Sequence, residues 1–159
     1  MNFVPIFVKQ NSTIKMFSKS CEYGIKASIY IAEQSQLSRK VGLKEVAKAI
    51  NSPEAFTSKV LQQLNRNNIL ISEKGPTGGF SIPTNTLETA TLSHVVAAID
   101  GEKIYTGCGL GLEQCNEKKP CPVHDQFKKV RDELRQMLET TTLKSLTLEL
   151  SEGLTFLKR

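Results

Sequence analysis

The strongest constraint on this chain lies between Leu43 and Ile82. Two helical periods are split by Asn51-Ser52-Pro53, and two β-prone runs follow at once. Leu43, Val46, Ala47 and Ile50 recur at helical spacing before the break; Phe56, Val60, Leu61 and Leu64 recur after it. Ser52 suits an N-cap, Pro53 the first helical position and Glu54 the first turn. Helix, tight break, second helix is the helix-turn-helix arrangement. The runs Ile69-Leu70-Ile71-Ser72-Glu73-Lys74 and Phe80-Ser81-Ile82 flank Gly75-Pro76-Thr77-Gly78-Gly79, which predicts a hairpin. A hairpin directly behind a helix-turn-helix is a wing. The predicted fold class is mostly α with a small β wing, a winged helix-turn-helix carrying a long C-terminal helix.

The flanking segments fit around this unit. A broad apolar helical pattern through Tyr23, Ile25, Ala27, Ile29, Tyr30 and Ala32 predicts a first helix from Ser18 to about Glu33, and 34–41 reads as a polar loop. Thr91 to Asp100 predicts a fourth helix, ended by Gly101. Residues 102–121 read as a loop holding three cysteines. Pro122 to about Thr140 predicts a long helix whose Val123, Phe127, Val130, Leu134 and Met137 step by 4, 3, 4 and 3, a heptad seam. A seam this short is more plausible against a second copy than alone, so these five are the candidate dimer residues. The tail, 141–159, reads as a short helix or strand. The expected division is 16–90 for DNA binding, 91–121 for a linking helix and cysteine loop, and 122–159 for the dimerisation helix and tail. Residues 1–15 match none of this. Pro5 interrupts their apolar run, no basic region precedes it, and no cleavage site follows. They are expected to be a disordered extension from an upstream start, the alternative being a short strand or arm.

Charge points to the partner. Among 159 residues, 21 Lys and Arg stand against 16 Asp and Glu, for a formal net charge of +5. Much of the excess lies in Arg39, Lys40, Lys44, Lys48, Lys59, Arg66 and Lys74. Basic balance plus a winged helix-turn-helix favours double-stranded DNA. The candidate interface comprises Ser52, Pro53, Phe56, Thr57, Ser58 and Lys59 on the recognition helix, and Lys74, Gly75, Thr77 and Gly78 in the wing. Thr57, Ser58, Lys59 and Gln62 are expected to face outward. A helix-turn-helix alone also occurs in proteins that never touch DNA; the wing and the charge make the difference. No apolar run is long enough to span a membrane. No nucleophile–base pair, phosphate-binding glycine loop or C-x-x-C motif is visible, which argues against an enzyme.

Cys108, Cys115 and Cys121 follow the spacing C-x6-C-x5-C, and His124 follows as C-P-V-H. Three soft ligands in one glycine-rich loop can wrap a metal centre, and thiolate suits zinc or an iron–sulfur cluster. Pro122 at the first helical position would make Cys121 the N-cap, where the helix dipole favours a thiolate, with His124 at the third helical position on the same end. Structural zinc, a disulfide with one thiol left over, and three unbound cysteines remain alternatives. Cys21 reads as a buried small hydrophobe and His94 as a surface or packing residue.

Together, the wing GPTGGF, the cysteine triplet and the long helix over Met16–Thr147 resemble the IscR/NsrR family of bacterial winged-helix regulators. The resemblance implies a homodimer with crossing long helices, a palindromic DNA target, and an iron–sulfur cluster that tunes binding in the cytoplasm. Cys108, Cys115 and Cys121 match that family's three cluster ligands. In the IscR-like branch a histidine at the place of His124 completes a 2Fe–2S site. In the NsrR-like branch an acid at the place of Glu22, from the partner subunit's first helix, reaches a 4Fe–4S cluster. The first cysteine spacing is one residue longer than in most members, so cluster type stays open, with 2Fe–2S slightly favoured and zinc as the fallback. Ser58 matches a base-reading position and Lys74 the wing's basic position. The expected function is transcriptional regulation, as a repressor controlled by the cluster. The alternative is a cluster-free regulator answering thiol oxidation, zinc, a metabolite or a protein partner.

Overall fold

The structure, a computed structural model, describes residues 16–153, 155 and 157. The expectations for 1–15 lie outside the described residues. In chain order the elements are α1 (Lys19–Gln36), α2 (Leu43–Ala49), α3 (Glu54–Arg66), β1 (Ile71–Glu73), β2 (Gly79–Ser81), α4 (Thr84–Thr89), α5 (Leu92–Asp100), α6 (Lys103–Thr106), α7 (His124–Thr140) and α8 (Leu143–Ser151).

Apolar spacing decides how α1, α2 and α3 meet. Ala27, Ile31, Val46, Val60, Leu61 and Leu64 are buried in one core with Ile69, Leu70, Ile82 and Leu87. Each fully buried Val or Leu side chain contributes about 1.5–3 kcal/mol. Ser18 caps α1 by accepting from Cys21 N at 3.0 Å, and Asp100 Oδ2 accepts from Ser18 N at 2.9 Å, tying the start of α1 to the end of α5. Cys21 is wholly buried, as expected of a small hydrophobe.

The wing is an antiparallel hairpin pairing Ile71 with Ser81, Ser72 with Phe80 and Glu73 with Gly79. Its root is held by Val41, whose N donates to Phe80 O at 3.1 Å and whose O accepts from Phe80 N at 2.8 Å. Gly79 is needed there. Its φ is +141°, and a Cβ would lie 2.9 Å from Val41 O.

The C-terminal part folds back. Leu92 N donates to Thr141 O, and Leu143 N to Ala90 O, each at 2.9 Å. Leu143 is fully buried in the main core, and Gln36 Nε2 donates to Thr147 Oγ1 at 2.6 Å. A second core of Cys21, Val96 and Leu138, with Leu134 and Tyr105 against it, seats the later half of α7 on α1 and α5.

Several boundaries differ from the sequence reading. The N-cap of α3 is Pro53, without a side-chain cap bond, so Ser52 stands one position outside the expected place. The N-cap of α7 is Val123, because Cys121 and Pro122 belong to a turn in which His124 N donates to Cys121 O at 3.0 Å. Cys121 therefore does not cap α7, and His124 is its first residue. His94 is more than a surface residue: it completes a capping box with Thr91 at the start of α5, accepting from Thr91 N at 3.0 Å. The helices α4 and α6 are short, below the length at which apolar period identifies a helix.

Candidate nucleic-acid interface and cysteine site

The recognition helix α3 buries Thr57, Val60, Leu61 and Leu64. Thr57 is a correction to the expected outward face. Its side chain is wholly buried, and Oγ1 donates to Pro53 O at 3.0 Å and lies 3.0 Å from Ser52 Oγ. It braces the first turn of the helix from inside. Phe56 is displaced the other way: it is 45% exposed and meets Tyr23 edge-on, with ring centroids 6.2 Å apart. One residue of helical rotation exchanges these roles, and spacing alone did not separate the two neighbours. Lys59, Gln62 and Arg66 are exposed; Ser58 is half-buried and accepts from Gln62 Nε2 at 3.4 Å. Lys74, Gly75 and Thr77 stand exposed at the wing tip with Gly78 half-buried behind them, and Gly78 N donates to Gly75 O at 3.0 Å.

The basic residues fall into two groups. Arg39 donates to Gln34 and, at 3.1 Å, to Glu45; Lys40 pairs with Glu73 across the wing root. These two are engaged within the protein, although the sequence placed them with the DNA-facing charge. Lys59 and Lys74 lie on the exposed helix and wing surfaces.

The cysteine loop runs from Gly107 to Val123, and none of its residues is buried. Cys108, Cys115 and Cys121 are half-buried, and His124 behind them is 6% exposed. Cys115 Sγ lies 3.4 Å from His124 Nδ1. The backbone groups of Leu110 and Leu112 hydrogen-bond the Cys108 thiol and hold it below the ordinary thiol range, helped by the Cys121 side chain and the Arg131 charge. Gly109 gives the loop its closest approach to α7: a Cβ there would fall 2.4 Å from the Phe127 ring. The donors are thus gathered as two pairs, Cys108 with Cys121 and Cys115 with His124. Among the described residues no three His, Cys, Asp or Glu side chains stand ready around one ion. The donor chemistry, three thiols and an imidazole, fits a thiolate-bound metal group; a closed shell would require the pairs to draw together.

Glu22, the other candidate ligand, pairs with Lys19 Nζ at 2.8 Å and raises that ammonium's pKa. Arg131 escaped the sequence reading. Its Nη1 donates to Gly107 O at 2.7 Å and its Nη2 to Cys115 Sγ at 3.4 Å. The available signal was its position one heptad after His124, which puts both on one side of α7. Of the five seam residues, Phe127, Val130 and Met137 are exposed at 37%, 59% and 47%; Leu134 turns inward to the second core, and Val123 is half-buried.

Residues 17–149 match the Rrf2 family, described as iron-dependent transcriptional regulators. The chain belongs to the Rrf2 family. It is a helix-turn-helix transcriptional regulator of that family. Over 133 residues it is 29% identical to an Aquifex aeolicus protein assigned as an HTH-type transcriptional regulator, covering 82% of this chain and 90% of that one. It is 26% identical over 124 residues to the regulator IscR of Pectobacterium atrosepticum, with 78% and 74% covered. The fold is that of CymR, the global cysteine regulator of B. subtilis: TM-score 0.68, 19% identity, 83% of this chain and 95% of that one. No described helix of this Rrf2 protein is long and apolar enough to cross a membrane.

Proposed function

We propose that this Rrf2 protein is a homodimeric repressor of transcription, acting on double-stranded DNA in the bacterial cytoplasm, whose affinity is set by an iron–sulfur cluster. The carrying observation is the placing of two donor pairs, Cys108 with Cys121 and Cys115 with His124, at the start of α7, with Cys115 Sγ 3.4 Å from His124 Nδ1. These four are the proposed ligands, and His124 is preferred to Glu22 because it already stands beside a loop thiol. A bound cluster would supply a group sensitive to iron–sulfur supply, redox state or nitric oxide. The resemblance to the IscR-like branch, in which a histidine at this place completes the site, implies the 2Fe–2S form.

The remaining steps belong to the chain. The exposed Phe127, Val130 and Met137 present an apolar strip to a second copy, with Val123 and Leu134 at its edges. A dimer sets the spacing of two α3 helices, which must enter successive major grooves together. Ser52, Pro53 and Phe56 to Lys59 form the helix start, where Ser58 and Lys59 lie nearest the outer face. Lys74, Gly75, Thr77 and Gly78 follow the DNA backbone. A change in the cysteine loop shifts α7, and the loop's ligand state acts only through the affinity difference between the two dimer forms.

The test is anaerobic purification with an absorbance spectrum, iron and sulfide counts, and a gel shift. Visible bands with iron in each subunit, lost in Cys108→Ala, support the reading. A colourless protein after reconstitution overturns it. Val130→Glu should give monomers by sedimentation.

A second reading rests on the Cys108–Cys121 thiol contact. Such a pair suits a cluster-free regulator that answers thiol oxidation. Zinc content and mass spectrometry after mild oxidation distinguish it.

A further inference from the structure

Arg131 holds two separate points of the cysteine loop. One guanidinium nitrogen bonds the Gly107 carbonyl, at the loop's beginning, and another bonds Cys115 Sγ, in its middle. The same charge reaches Cys108. The residue is half-buried and shares its side of α7 with His124. Since no residue of 107–123 is buried, the loop lacks an apolar anchor of its own. Beyond the backbone bonds at the Cys121–His124 junction, its attachments to α7 include the Phe127 ring against Gly109, the Cys115–His124 contact and the Arg131 fork.

We infer that Arg131 is a positioning residue: its fork clamps the cysteine loop to α7 and sets a fixed positive charge beside Cys115. A planar guanidinium serves two acceptors in different directions, whereas an ammonium is a point charge and cannot hold both in the same geometry. The clamp makes the loop and the dimer helix move as one body. The clamp stands without the iron–sulfur reading; the charge rests on it. A cation beside a thiolate-bound cluster favours the more negative, reduced state and raises the reduction potential.

The experiment uses the full chain, wild type, Arg131→Gln and Arg131→Lys, with thermal unfolding and circular dichroism as checks on folding. In the cluster-free proteins, trypsin cleavage between the exposed Lys118 and Lys119 is followed by mass spectrometry. Roughly threefold or faster cleavage is expected in Arg131→Gln, with Arg131→Lys between it and wild type. After reconstitution with iron and sulfide, the reduction potential is read from the visible spectrum. It should fall in Arg131→Gln and return towards wild type in Arg131→Lys, a rescue that a purely structural role does not predict. If Arg131→Gln does not fold, Arg131→Lys against wild type decides the clamp by its cleavage. Equal cleavage in folded variants overturns the proposal. Faster cleavage with an unchanged potential overturns the charge half. A wild type that binds no cluster sinks the iron–sulfur reading instead, and the cleavage comparison still decides the clamp.

Discussion

The helix-turn-helix core and the cysteine loop are built by opposite means. In the first, Val46, Val60, Leu61 and Leu64 are essentially inaccessible to water, and the hairpin is tied to Val41 by two backbone hydrogen bonds. In the second, no residue between Gly107 and Val123 is buried, and polar contacts to His124 and Arg131 supply much of the attachment. Apolar burial makes a region stiff and indifferent to small ligands. A segment held by a few polar bonds opens at low free-energy cost, which suits the part of a regulator that must change state.

The difference between the regions can be broken by paired substitutions. Leu64→Ala should cost about 2–5 kcal/mol in thermal or urea unfolding, because it empties a packed site. Leu112→Ala, at a side chain 54% exposed, should stay within about 0.5 kcal/mol. Similar losses at both sites would show that the loop is part of the core after all. Cys108→Ala sharpens the contrast from the functional side. Bound iron should be lost altogether while the unfolding midpoint of the iron-free protein barely moves, and iron retained at wild-type content would remove Cys108 from the ligand set. Lys74→Ala should weaken DNA binding across unrelated sequences and lower the slope of log affinity against log salt by about one. An unchanged slope would move the wing tip off the phosphates.

The smallest effect is a pH dependence. The Lys144 ammonium, 2.8 Å from Glu88, holds that carboxyl below its ordinary value and links α8 to α4. A depressed carboxylate pKa stabilises the folded state above the unfolded pKa, and that contribution disappears as pH falls through the folded value. Glu88→Gln should therefore differ slightly from wild type at neutral pH and converge with it in acid, as read by unfolding midpoints across pH. Both groups are exposed, so the difference should be near the resolution of the measurement.

How much of this was legible in the residues follows the same division. The two helices, the break at Ser52-Pro53 and the wing were readable because period, proline and glycine are local signals. The three cysteines and His124 were readable as one chemical set for the same reason. Which neighbour in Phe56-Thr57 is buried was not, because one residue of helix rotation depends on how α3 meets α1. Nor was the engagement of Arg39 and Lys40 with Glu45 and Glu73, since a salt bridge across elements leaves no mark in linear spacing.

The sequence by itself determined the architecture of the winged helix-turn-helix unit, the family resemblance and the clustering of three cysteines with a histidine, all of which are encoded in short-range spacing. Tertiary structure alone decided that α8 returns to bury Leu143 beside α1, that the donors meet as two pairs, and that Arg131 joins the loop to α7. Those outcomes are long-range. They depend on the relative placement of several packed elements, and the free energy that selects them is a property of the packed whole.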